Sequence, residues 1–166
     1  MTKIKNKKWL LIFLIATICW ISVIFSFSLQ PADVSSEMSS GLGKKILETF
    51  VPELLEELET MSGEQLGLMH HLLRKCAHFA EYFLLGVLVM LTLLQTILKK
   101  NVGMGIGLSM LVATVDETIQ RFVPGRSGQV TDVLLDTLGA SAGILIVYVA
   151  MRWLYLKSKR GAENAV

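Results

Sequence analysis

His78 and Glu81 stand three residues apart, a spacing that sets an imidazole and a carboxylate on one face of a helix. Such a pair can act as base and orienting carboxylate in acid-base chemistry, with Asp116 as a third candidate catalytic group. The same residues can equally form a polar clamp between helices. Asp116, Glu117, Asp132 and Asp136 offer oxygen ligands for a divalent metal, although no spacing among them is diagnostic of one. Arg126 follows Pro124 and Gly125. From there its guanidinium can grip a phosphate or carboxylate with two hydrogen bonds, or pair with Asp132 or Asp136. Arg74 and Lys75 can reach lipid headgroups as anchors. The residues expected to meet a ligand are Arg74, Glu117, Gln120, Arg126, Asp132 and Asp136. No Ser-His-Asp order, Cys-His pairing or Walker loop is present, and nothing singles out a cofactor or a particular metal.

The elements that must position these groups are membrane helices. Apolar residues make up 52% of the 166, charged residues 18%, and mean hydropathy is +0.55. The bias lies in long apolar runs, so the relevant solvent is the bilayer. Trp9 to Leu29 is a run of 21 residues without a charge, long enough to cross a hydrocarbon core of about 30 Å. The lysines at 3, 5, 7 and 8 resemble the start of a signal peptide. The run is too long for a typical h-region, however, and no clean cleavage site follows, which favours an uncleaved first span. Further spans are expected at about 77–98, 102–123 and 131–151. Lys99, Lys100 and Asn101 make a tight turn, and the stretch from Pro124 to Gly128 breaks the chain between spans three and four. Cys19 and Cys76, in or beside apolar segments, read as packing residues rather than a disulfide. The whole chain reads as one domain. Without basic runs interleaved with aromatics, nucleic acid is excluded as a partner.

Basic residues orient the bundle. With the N-terminus in the cytoplasm, the inner side receives ten of the 16 basic residues, including Lys99, Lys100 and the tail from Arg152 to Arg160, and only Glu163 of the 14 acids. Both termini are then cytoplasmic. The segment 30–71 lies outside and carries Asp33 and seven glutamates against Lys44 and Lys45. Leu42, Ile46, Leu47 and Phe50 recur there at helical spacing, and Pro52 can open a second helix before Leu54, Leu55 and Leu58. Two amphipathic helices on the outer face are expected, the alternative being a mobile acidic loop. Ser62 and Gln65 form a capping-box pattern opening the helix that leads into span two.

Three stripes follow from helical spacing. His71, Arg74, His78 and Glu81 form one; Gly105, Ser109, Asp116 and Gln120 another; Asp132, Asp136, Gly139 and Gly143 a third. The paired glycines permit close backbone approach, as in small-xxx-small interfaces. A carboxylate facing mid-bilayer lipid costs roughly 2.5–3.5 kcal/mol, so the stripes should face one another. The acids outnumber their close cations, which points to a wet cavity, a bound cation or carboxylates with raised pKa. Glu117 and Arg121 have the spacing of a helical ion pair.

Motifs in this order resemble the VanZ-like family, small membrane proteins named for one linked to teicoplanin resistance. The resemblance rests on Phe25-Ser26-Phe27-Ser28-Leu29-Gln30-Pro31, on the stretch from Arg74 to Tyr82, on Asp116 to Arg126 and on Asp132 to Gly139. It departs at Asp136, where the family more often has Asn, so it transfers no role to that position. It implies an all-α, polytopic membrane protein with a four-transmembrane-helix bundle and a role in the cell envelope or in glycopeptide resistance; it supplies no mechanism. The leading expectation is an outward-facing polar pocket in the plasma membrane for an anionic envelope component, with membrane lipids and a lipid-linked cell-wall precursor as partners. The alternatives are an intramembrane hydrolase or transferase using His78, and a scaffold whose polar groups only fix packing. Polar residues confined to one end argue against a channel. Oligomeric state is not legible.

Overall fold

The computed structural model of the chain describes residues 6–50, 62–96 and 101–163. Among these residues five helices follow in order: α1 (Lys7–Ser28), α2 (Ala32–Phe50), α3 (Gly63–Gln95), α4 (Val102–Gln120) and α5 (Val130–Glu163). No strand is present among the described residues. All but α2 are long and apolar enough to cross a membrane, so the chain is an all-α, four-span membrane bundle.

Polar side chains set the helix starts. Asn6 accepts from Lys8 N at 3.0 Å and Trp9 N at 3.4 Å, and Asn101 accepts from Met104 N at 3.0 Å. Ser62 and Gln65 cap α3 reciprocally, at 3.4 Å and 2.9 Å, as their spacing predicts. From that cap α3 runs 33 residues, roughly 50 Å at helical rise. Its start at Gly63 lies upstream of the span expected at 77–98, as the capping-box pattern of a helix leading into that span predicts. At the other end of the bundle, α5 continues past residue 151 to Glu163, carrying Arg152, Lys157 and Arg160 along one continuous helix. The third helix ends at Gln120 rather than 123, where a turn takes over.

The predicted helix after span one is present as α2, which packs on α3. Its membrane-surface role rests on side chains of Leu42, Ile46, Leu47 and Phe50 that lie outside the described residues, as do the Pro52 helix and the Lys99-Lys100 turn.

α3 is the hub, touching every other helix and α5 most extensively. Ile24, Tyr82, Leu85, Val89, Leu93, Ala113 and Ala140 form the core between α1, α3, α4 and α5. Towards the other end, Met90, Leu94 and Ile144 make a second cluster. Trp20 Nε1 donates to the Glu81 carbonyl at 2.9 Å, and the hydroxyls of Thr17 and Thr92 meet at 3.1 Å, so α1 is keyed to α3 by polar contacts. The outer surface is apolar, with Leu11, Ile15, Ile18, Leu111, Leu138 and Val149 exposed. Hydroxyls on this surface are satisfied within their own helix: Ser22, Ser26, Thr114 and Thr118 each donate to the carbonyl four residues back. That is what lipid contact requires. Cys19 and Cys76 are free and exposed.

Candidate functional site

Glycines bring the functional helices together. On α5, Gly139 lies against the Phe79 carbonyl and Gly143 against the Phe83 carbonyl of α3; Gly86 on α3 lies against the Ala140 carbonyl. A Cβ at any of the three would strike backbone, so α3 and α5 run in parallel at backbone contact. The expected close approach at Gly139 and Gly143 is present, and Gly86 reciprocates it. Two polar pairs sit one and two turns above this crossing. Lys75 Nζ meets Asp132 Oδ1 at 2.8 Å, and His78 Nδ1 lies 3.9 Å from Asp136 Oδ1, beyond hydrogen-bond length.

α4 adds the third stripe as expected: Gly105, Ser109, Asp116 and Gln120 are all buried. Gln120 Nε2 donates to Asp116 Oδ2 and to Ser28 Oγ, each at 3.2 Å, which joins the ends of α1 and α4. Glu117, one residue on, also turns inward. One of its oxygens accepts from Gln129 N at 2.9 Å.

The loop between α4 and α5 closes the end of the site. Arg126 N donates to Val123 O at 3.2 Å, with Pro124 and Gly125 as the central residues and φ +75° at Gly125. Pro followed by a positive-φ Gly is the residue requirement of a type II turn. The loop is tied down on both sides: Ala32 N donates to Pro124 O at 3.4 Å, and Arg121 Nε to Gly128 O at 3.3 Å. Arg126 then folds back over the bundle and donates from Nη2 to Phe27 O at 3.1 Å, leaving its buried Nε without a partner. Burial, with Arg74 nearby, lowers its pKa from the ordinary value, while Asp116, Glu117 and Glu81 pull the other way.

Two spaces result. A pocket of about 150 Å³ is lined by Arg74, His78, Glu81 and Arg126 together with Phe27, Ser28, Gln30, Met38 and Ala77. Behind it, ligand-capable atoms of His78, Asp116, Glu117 and Asp136 lie within 4.8 Å of one another. In that group His78 Nδ1, Asp116 Oδ1, Glu117 Oε1 and both Asp136 oxygens are buried without a hydrogen-bond partner.

A family model for VanZ/LLP1 matches residues 13–152. The chain belongs to the VanZ/LLP1 family. That span takes in every residue of the site, from Phe27 to Asp136. No curated protein and no solved structure matches the chain.

Within this VanZ/LLP1 bundle the sequence-derived candidates divide. His78, Asp116, Glu117 and Asp136 converge, and Arg74, Glu81 and Arg126 face the adjoining pocket. His78 Nδ1 faces Asp136 Oδ1 at 3.9 Å, a neighbour on another helix that its spacing to Glu81 does not indicate. Asp132 is engaged by Lys75, which the sequence marks only as a headgroup anchor. Arg126 forms no ion pair with Asp132 or Asp136 among the described residues, because the turn aims it at α1. Glu117 and Arg121 make no helical ion pair there either, since Glu117 points in and Arg121 out. Gln120 spends its amide protons on Asp116 and Ser28 and so positions a carboxylate. His71 is exposed and outside the group. Lys75, Tyr82, Ser28 and Gly86 belong to the site's framework; the first three lie in the family motifs without a role in the site being read from them, and Gly86 carries no sequence signal.

Proposed function

We propose that this VanZ/LLP1 protein holds the anionic headgroup of a lipid-linked envelope component in the pocket between Arg74 and Arg126. The pocket lies at the extracytoplasmic side of the plasma membrane, with both termini cytoplasmic, and its occupancy lowers glycopeptide susceptibility. The observation that carries the reading is a pair of arginines in one pocket whose other walls include Phe27, Met38 and Ala77. Guanidinium groups suit phosphate or carboxylate, and apolar walls suit the chain attached to it. A cavity near 150 Å³ is known to hold a benzene-sized molecule, so a single headgroup fragment fits. The buried, unpartnered Arg126 Nε offers a ready donor. The concentration of Lys and Arg at the opposite end of the bundle supports this side of the membrane.

The test is teicoplanin susceptibility of a host expressing wild type, His78→Ala or Arg126→Ala, beside retention of anionic envelope lipid by the purified proteins. Folded variants should lose both protection and lipid. Equal protection by all three removes the pocket from the explanation.

A second reading, hydrolysis or transfer on a lipid-linked substrate, draws support from the unpartnered His78 and carboxylate atoms beside the pocket. Turnover by purified protein, lost in His78→Ala, selects it. Absence of turnover across envelope lipids rejects it. A pure scaffold, by contrast, requires the same variants to lose thermal stability and keep lipid binding.

A further inference from the structure

We propose that His78, Asp116, Glu117 and Asp136 form a binding site for one divalent metal ion of the manganese or zinc class. This assignment stands apart from the headgroup reading, since it needs only the four side chains.

The four ligand atoms come from three helices and lie within 4.8 Å of one another. Ligands about 2.0–2.2 Å from a shared ion stand about 3.4 Å apart at tetrahedral angles and at most about 4.4 Å apart directly across it. The His78–Asp136 separation of 3.9 Å lies between these two values, and the widest pair closes by about 0.4 Å to reach the longer and about 1.4 Å to reach the shorter.

Burial supplies the independent observation. Asp116 and Asp136 are 0% exposed and Glu117 3%. Both oxygens of Asp136, one each of Asp116 and Glu117, and His78 Nδ1 have no hydrogen-bond partner. A sequestered carboxylate oxygen without a donor is among the costliest groups in a fold. The other oxygens of Asp116 and Glu117 are held by Gln120 and by Gln129 N. Glu117 is thus fixed on one side and bare on the other, the arrangement expected of a ligand oriented by an outer partner.

Charge points the same way. Three carboxylates share one buried volume, and Lys75 is taken by Asp132. One imidazole among carboxylates favours Mn²⁺ or Zn²⁺ over Ca²⁺, which seeks six to eight oxygens, and over copper(I), which seeks sulfur. His78 lines the headgroup pocket as well as the cluster. An ion there therefore sits beside any anion held by the two arginines.

The full-length protein in detergent, stripped with chelator and dialysed against Mn²⁺ or Zn²⁺ alone, tests this by elemental analysis and by metal-dependent thermal stabilisation, with no lipid added. One ion per chain is expected with at least one of the two metals. Asp136→Asn and Glu117→Gln should each bind at least about tenfold more weakly, the loss that even outer-shell changes produce. Asp132→Asn should keep its ion. Size exclusion identifies folded variants, and if one of the ligand variants fails to fold the other carries the comparison. Wild-type protein that retains neither metal overturns the proposal outright. So does a pattern in which Asp132→Asn loses the ion and the two ligand variants keep it.

Discussion

Gly86→Ala puts the close crossing of α3 and α5 to a quantitative test. A methyl there meets the carbonyl oxygen, carbonyl carbon and Cα of Ala140, all backbone, so no side chain can rotate away and the helices must part. Forcing a methyl into a filled interior costs about 1–3 kcal/mol, the upper part applying where the obstacle is rigid. Alanine's helix preference over glycine returns about 1 kcal/mol. The net expectation is a loss of about 1–2 kcal/mol, accompanied by loosening of the Lys75–Asp132 contact one end of the crossing supports. Gly67→Ala is the matched control: same helix, same chemical change, nothing within 4 Å of the new Cβ. It should stabilise by up to about 1 kcal/mol. Unfolding of both variants in mixed micelles, followed by circular dichroism, gives the two signs. If Gly86→Ala is as stable as Gly67→Ala, the two backbones are not in contact and the site built on their crossing is wrong.

Three further outcomes are expected. Gln120→Leu strips donors from Asp116 and Ser28 in a buried setting, so it should lower stability by about 1–3 kcal/mol in the same assay. Gly125→Ala forces a side chain into φ +75°, 3.1 Å from Ala32 Cβ; it should cost at least about 1–2 kcal/mol and weaken anionic lipid retention by misdirecting Arg126. A double-mutant cycle on Lys75→Met and Asp132→Leu should return a coupling of about 1 kcal/mol, since the pair is part-exposed and screened; a coupling near zero detaches Asp132 from α3.

Four spans were legible because an apolar run of about twenty residues has few other uses. Their ends were less so: hydropathy marks only the apolar part of a helix, and α3 and α5 extend beyond it, with the Ser62–Gln65 cap marking the start of α3. The convergence of Asp116, Gln120, Asp136, Gly139 and Gly143 was readable from helical period joined to the cost of placing acids against lipid. Pair identities were not readable. Lys75 finds Asp132 across 57 positions, and Arg126 finds the Phe27 carbonyl across 99, through helix register and a turn that spacing along one segment cannot encode. Gly86 escaped notice because its partner in close packing is Ala140 on another helix, with no second glycine four residues away to flag it. The Glu117–Arg121 pattern misled for a related reason: i,i+4 spacing permits an ion pair but does not say which face is buried.

The claim beneath the rest is that α3, α4 and α5 turn their polar stripes to one shared volume at one end of the bundle. An electron cryo-microscopy map of the protein in a lipid nanodisc, with a bound antibody fragment for size, measures this directly. His78, Asp116, Glu117 and Asp136 should surround a single space, with His78 Nδ1 near the 3.9 Å found here from Asp136 Oδ1. A map in which any of these side chains faces the acyl chains, or in which α3 and α5 stand apart at Gly86, contradicts the account.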